Sequence, residues 1–369
     1  STLEELSQTA ATLDVTISPQ GLDKRFTPDA ANFLKKILEA SITAIVESEP
    51  AVIPLLNRFN AVFIQDSSTV TLPDFLATVW PGCGGNSCKN TGSSVKMQIR
   101  LELNTGKLAG PYLQSGKEHD QSCLLQTQPL PEGSIRIADL GYFSLDDFSD
   151  MNTKGVYWLS RLKSQCKVYT GKEWDLPRLL EEYCPDTMDI SVFLGVKERV
   201  PCRILAVRVP DEVANERRRK LRAEARREGK EPGERLLKLA SWTVLCTNIP
   251  PELLSLEEGF VLMRRQIELV FKLWKSHGRI DEWRSKKPWR ILCELYAKLV
   301  VMVIQHWILL TGWQYSDRSL FKSVKTIQKH AMSLAVAFSS GCRKRLHEVL
   351  ETICRCLSVG CRINSCATR

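Results

Sequence analysis

The chain has 369 residues with a net charge of +9; 43% of residues are apolar and 25% charged. That is ordinary globular composition, long enough for two or three packed units, and it excludes a fibrous or wholly disordered chain. The positive excess leans toward polyanionic partners. Thirteen cysteines are scattered without a CxxC pair and its matching second half, which argues against a zinc site. With no secretory leader, reduced thiols in a cytoplasm-like compartment are expected.

In chain order, the first sixty residues read as helices. "TLEELSQTAA" and "TPDAANFLKKILEASITAIVES" repeat apolar residues every three or four positions. Thr27 and Pro28 suit the cap and first turn of the second helix. "NAVFIQDSSTVTLP" (60–73) then reads as a buried strand, with Asp66 at the end of its apolar run, and 82–94 as a loop. "VKMQIRLELNTGKLAG" (95–110) alternates Val95, Met97, Ile99, Leu101 and Leu103 on one face and runs into a hairpin turn at Asn104-Thr105-Gly106. Two more strands follow, in "GSIRIADLGYFS" (133–144) and "GVYWLSRLKS" (155–164).

Residues 165 to about 247 form a second β-rich stretch, with "ISVFLGV", "CRILAVRV" and "SWTVLCT" separated by polar tracts. Between them, Asn215 to Lys230 holds eight Lys or Arg against three Glu. Two readings stand: a solvated charged helix or loop, or a phosphate-contacting segment. From Pro250 the chain is helical again. Ser255 and Glu258 form a capping box. "LYAKLVVMVIQHWILLTGW" (295–313) carries Lys298, Gln305 and His306, so it reads as a core helix rather than a membrane span. This order predicts an α/β core interrupted by an insertion.

The helix containing "MRRQIELVFKLWKS" (263–276) places charges beside apolar residues. At about 100° per residue, Glu268 lies about 40° from Arg264 and Lys275 about 20° from it, a single stripe. An i,i+4 pair of Arg264 with Glu268 is the plain explanation. Asp66 and Asp139, however, each follow an apolar strand segment, and buried acids need a partner or a metal. Three such carboxylates suit magnesium or manganese. Two ions held about 4 Å apart by carboxylates act on phosphodiesters.

These residues resemble the DDE transposases of bacterial insertion sequences, in the branch with a Y-x2-R-x3-E-x6-K helix. Here that motif is Val261, Arg264, Glu268 and Lys275, with valine in place of tyrosine. The family's D-x-G-x-F is Asp139-Leu140-Gly141-Tyr142-Phe143, its first acid is Asp66 before Ser67-Ser68-Thr69, and "LCTNIP" resembles its approach to the helix. The resemblance covers roughly residues 20–340 and implies a ribonuclease-H-like core. By segment it implies a helical, DNA-contacting region at 1–58, core at 59–164 and 250–335, a β-rich insertion with the basic tract at 165–249, and a terminal helix and tail at 336–369.

For function, the resemblance implies cut-and-paste transposition. Asp66, Asp139 and Glu268 would hold two Mg2+ ions, or Mn2+ as substitute. Arg264, Lys275, Arg217, Arg218, Arg219 and Lys220 would contact DNA phosphates. The partners would be double-stranded DNA, as transposon end repeats and target, and a second copy of the chain on paired ends, in a bacterial cytoplasm near the nucleoid and without a membrane role. Two other readings remain open: a transposase-derived DNA-binding protein without strand transfer, and a metal-dependent nuclease on the same fold.

Overall fold

A computed structural model of the chain describes residues 2–44, 46, 54–83, 92–183, 186–266, 279–283, 285–310 and 319–361. The described helices are α1 (Leu3–Ala11), α2 (Pro19–Asp23), α3 (Pro28–Thr43), α4 (Leu124–Thr127), α5 (Leu145–Thr153), α6 (Leu176–Tyr183), α7 (Asp211–Arg227), α8 (Glu234–Leu239), α9 (Leu256–Gln266), α10 (Pro288–Leu310), α11 (Leu320–Lys329), α12 (Ala331–Ser339) and α13 (Arg343–Gly360). The strands are β1 (Val62–Leu72), β2 (Ser93–Glu102), β3 (Leu108–Ser115), β4 (Ile135–Ala138), β5 (Tyr157–Arg161), β6 (Val168–Thr170), β7 (Lys172–Trp174), β8 (Thr187–Leu194), β9 (Val200–Arg208) and β10 (Trp242–Thr247). The chain divides into two compact units. One comprises Ser1–Pro54, Ser67–Leu125 and Glu268–Arg369, the other Leu55–Asp66 and Gln126–Ile267.

In the first unit, α3 and α10 pack with β2 and the latter half of β1. Ala31 and Leu38 of α3 meet Leu292, Leu295, Leu299 and Met302 of α10 over Val70, Leu72, Val95, Met97 and Ile99. Thr27 caps α3 by accepting from the Ala30 amide, with Pro28 in the first turn, as the sequence predicts. β2 and β3 form the expected antiparallel hairpin. Glu102 closes its turn, accepting from the amides of Asn104 at 2.9 Å and Thr105 at 2.7 Å, and Gly106 takes the positive φ the turn demands. Helix α10 is long and apolar enough to cross a membrane by length and composition, yet it is a core helix here. Its His306 is fully buried against the Gly106 carbonyl at 2.7 Å, and burial pushes the imidazole pKa down, toward the neutral form. Helices α11 and α13 close a smaller core through Ile327, Ile353 and Leu357.

The second unit holds the sheet order β1-β4-β5-β10-β9-β8-β6-β7. β4 is parallel to both β1 and β5; β10 and the strands beyond it pair antiparallel. The strands of 165–249 therefore continue the sheet begun by β1, β4 and β5. Phe148 stacks on Trp158 with ring centroids 4.0 Å apart, inside a core lined by Leu176, Leu180, Val192 and Ile204.

Asp66 ends the apolar run but not the strand: β1 runs on to Leu72, within the 60–73 predicted. The hydroxyl-rich half keeps a period of two, with Val70 and Leu72 buried and Thr69 and Thr71 exposed, and this alternation sustains the strand. The pairing of β1 with β4 ends at Gln65.

Candidate active site

The site is built from strand register. Ile64 lies opposite Ile137 and Gln65 opposite Ala138 in the parallel β1–β4 ladder, and Ala138 lies opposite Ser160 of β5. One residue further along each strand stand Asp66, Asp139 and Arg161. Side chains alternate, so this row shares the face of Ile64 and Ile137, while Gln65, Ala138 and Ser160 point the other way. Neighbouring strands lie about 4.8 Å apart, so register alone brings Asp66 and Asp139 side by side.

Asp139 is held by its neighbours in the D-x-G-x-F segment. Tyr142 and Phe143 are buried, Phe143 packs edge-on against Phe148 at 5.1 Å, and the Tyr142 amide donates to the Asp139 carbonyl at 3.0 Å. These anchors turn the chain immediately after β4. The Asp139 side chain makes no capping bond to the turn that follows, so turn capping does not explain it. Its Oδ1 is buried and has no hydrogen-bond partner among the described residues, although the side chain as a whole is 44% exposed. Arg161 Nε stands 3.8 Å from that oxygen, beyond hydrogen-bond range.

Helix α9 is fixed at its beginning by several bonds. The Ser255–Glu258 capping box forms as predicted: Ser255 N donates to Glu258 at 3.0 Å and Glu258 N to the Ser255 hydroxyl at 3.2 Å. Arg58, four residues before β1, grips Glu258 with two bonds of 2.8 Å, and this guanidinium holds the Glu258 carboxyl below its ordinary pKa. The "LCTNIP" segment has a structural role. Thr247 donates to the Trp158 carbonyl at 2.6 Å, and Asn248 accepts from Trp158 N at 2.8 Å and donates to the Val156 carbonyl at 2.9 Å. Buried Arg203 donates to the carbonyls of Ile249 at 2.6 Å and Leu254 at 3.2 Å while paired with Asp189. Val261 is 43% exposed. The backbone of Arg264 is helical in α9; Glu268 and Lys275 lie outside the described residues.

The basic tract is helical, in α7 and the turn after it. Its residues part company. Arg217 donates to the Trp242 carbonyl at 2.8 Å and to Thr243 Oγ1 at 3.0 Å. Arg218 bonds Ser241 at 2.5 Å and the Leu237 carbonyl at 3.3 Å. Both are thus committed to α8 and β10. Arg219 and Lys220 are exposed, Lys220 pairing with Glu216 at 2.7 Å.

Sequence reasoning missed Arg161, Arg58 and Arg203. An arginine in a strand gives no signal of what it faces until the register is known, although Arg161 follows the apolar run "VYWLS" much as the acids follow theirs. Among the described residues no three His, Cys, Asp or Glu side chains cluster for a metal. Of the predicted acids, Asp66 and Asp139 each lie one residue past the last paired residues of adjacent strands.

Residues 57–304 match the family described as "Transposase DDE domain". The chain is 30% identical over 326 residues to the transposase for insertion sequence element IS231E of Bacillus thuringiensis subsp. finitimus, covering 81% of this chain and 67% of that one. It is 30% identical over 370 residues to the IS231C transposase of Bacillus thuringiensis subsp. berliner, covering 91% and 76%. The chain belongs to the DDE transposase family. The transposase for IS1151 of Clostridium perfringens is a further relative, 26% identical over 338 residues, with 83% and 70% covered. This transposase is therefore an insertion-sequence enzyme acting on DNA, with a mixed α/β fold, and its domain implies dependence on a divalent metal. The residues present fit such an ion: two carboxylates on adjacent strands supply hard oxygen donors, and the buried Oδ1 of Asp139 has no hydrogen bond among the described residues.

Proposed function

We propose that this transposase works by cut and paste, with Asp66, Asp139 and Glu268 as the residues that hold two magnesium ions, or manganese in their place. The observation that carries this reading is the pair Asp66 and Asp139 at the edge of the β1–β4 ladder, with one Asp139 oxygen buried and unbonded. Two such ions, when bound, activate the attacking oxygen and stabilise the leaving one. The chain's own part is to hold the carboxylates on rigid strands, where little reorganisation is needed during reaction. Arg161 presents N–H groups beside Asp139 and suits a non-reacting phosphate oxygen. Arg264 and Lys275 serve further phosphates. Water attacks the phosphodiester at the transposon end, breaking the P–O3′ bond and leaving a 3′-OH with a 5′-phosphate. That 3′-OH then attacks a phosphodiester of the opposite strand or of target DNA, displacing its 3′ oxygen.

The same reading takes 59–164 and 250–335 as a ribonuclease-H-like core, 165–249 as its insertion, 1–58 as a DNA-contacting region and 336–369 as the terminal helix and tail. A homodimer acts on paired ends. Support comes from the parallel β1–β4–β5 ladder with the acids at its edge. The test is incubation with duplexes carrying the element's terminal repeats and Mg2+. Nicks leaving 3′-OH ends, followed by joined products, are expected. Nicks without joining would reduce the function to that of a nuclease, and binding without nicks to that of a DNA-binding protein.

A further inference from the structure

We infer that α7 is divided lengthwise, and that its outer ridge of Arg219, Arg222 and Arg226 binds the sugar-phosphate backbone of duplex DNA while Arg217 and Arg218 only fasten the helix down. This rests on the chain's acting on DNA and goes beyond it by naming the surface. At about 100° per residue, the three ridge arginines fall within about 60° of one another. Ala214, fully buried, lies about 140° from Arg219, about 120° from Arg226 and about 80° from Arg222 on the same count, and all three arginines are exposed. The inner side is anchored by the bonds of Arg217 to Trp242 and Thr243 and of Arg218 to Leu237 and Ser241.

The ridge side chains are exposed and form no ion pair among the described residues, although Glu216 on the same outer side is taken up by Lys220. An exposed arginine left unpaired on a helix that carries glutamates is available to an anion from outside. From Arg219 to Arg226 the helix rises about 10 Å. Phosphates along one DNA strand are spaced about 3.4 Å along the axis, so the ridge spans about three of them. Guanidinium groups are suited to phosphate oxygens, which they can engage through two N–H groups. A planar fork on a fixed helix gives up less freedom than a lysine would. The contact carries no base information and fits any sequence.

The test uses the full chain, with duplex affinity measured over a salt series by fluorescence anisotropy on random sequence, alongside thermal unfolding and Mg2+-dependent nicking of terminal-repeat duplex. The variant Arg219→Ala, Arg222→Ala, Arg226→Ala keeps a strong helix former at each site. Its plot of log affinity against log salt should be shallower than wild type by about two to three units, with an unchanged unfolding midpoint. Arg217→Ala should lower the midpoint and leave the slope as it is. Arg343→Ala, Lys344→Ala, Arg345→Ala, which removes equal charge from exposed positions of α13, should leave the slope within one unit of wild type. A wild-type slope in the ridge variant, or an equal loss in the α13 variant, overturns the ridge while nicking by the wild type upholds the transposase chemistry. A wild-type chain that neither binds nor nicks DNA overturns both.

Discussion

The sheet of the second unit carries two aspartate–arginine neighbours, and they are built differently. Asp189 of β8 and Arg203 of β9 form a hydrogen-bonded pair: Arg203 Nε donates at 3.0 Å, Nη2 makes a second bond, and the guanidinium is nearly buried. Asp139 and Arg161 stop at 3.8 Å, and Asp139 Oδ1 is buried without a hydrogen bond among the described residues. A carboxylate that serves the fold is saturated by its own chain. In the proposed metal site, Asp139 keeps coordination capacity open and is placed by its backbone and its neighbours. Helix α7 repeats the contrast among arginines, with Arg217 and Arg218 saturated and Arg219 open.

The largest expected effect breaks this comparison from the chemical side. Asp139→Asn and Asp66→Asn should each reduce Mg2+-dependent nicking at least about 100-fold, about 2.7 kcal/mol in activation free energy, with duplex affinity retained. The double variant should lose little more than either single one, because the acids act as a unit. Glu268→Gln should behave alike. Unfolding midpoints should show both variants folded, placing the loss in chemistry. Near wild-type nicking in either single aspartate variant would remove that aspartate from the site.

The converse change is structural. Asp189→Ala leaves the Arg203 guanidinium, still bonded to two carbonyls, without its counter-charge, and should cost roughly 2–3 kcal/mol of stability. Denaturant unfolding reads this directly. Specific activity per folded molecule should fall far less than in Asp139→Asn.

How much of this was readable in the sequence follows the same division. Period-two and period-three-to-four patterns placed the hairpin at Asn104-Thr105-Gly106, the Thr27 cap and the Ser255–Glu258 box, because those are local contests settled within a few residues. Asp66 and Asp139 were found by following apolar runs to a charge. Their adjacency was not readable, since register depends on strands some seventy residues apart. The strand over 60–73 is legible through its hydroxyl-rich half because Val70 and Leu72 keep the alternation, and both are buried. Composition does not distinguish an arginine bonded within the chain, as Arg217 and Arg218 are, from an exposed one such as Arg219.

A smaller effect sharpens how α9 is held. Glu258→Gln keeps the capping bond, which glutamine also makes, and removes the charge facing Arg58. Half-exposed as that pair is, the loss should be about 0.5–1 kcal/mol at neutral pH. Arg58 lowers the Glu258 pKa in the folded state. Its contribution is therefore complete above the unfolded glutamate pKa of about 4.3 and fades as pH falls through the folded value. The gap between wild type and variant should begin to close below the unfolded pKa and narrow as pH falls further; a gap that does not narrow in acid would show that the ion pair is not the source.

The smallest expected stability change is at Val261, whose 43% exposure leaves room for a larger side chain. Val261→Tyr should move stability by less than about 0.5 kcal/mol and add a hydrogen-bond donor one turn before Arg264. Raised processing of hairpin or flipped-base ends, without change in random-duplex affinity, is the expected readout. A clear drop in the unfolding midpoint without such a gain would make position 261 a packing site.

The β1–β4 edge as a metal site is tested most directly by titrating the DNA-free protein with Mn2+ and following the free ion by electron paramagnetic resonance, in wild type, Asp139→Asn and Asp189→Asn. Wild type and Asp189→Asn should take up Mn2+ alike, in competition with Mg2+, while Asp139→Asn loses most of that uptake. Equal uptake by wild type and Asp139→Asn would contradict the assignment.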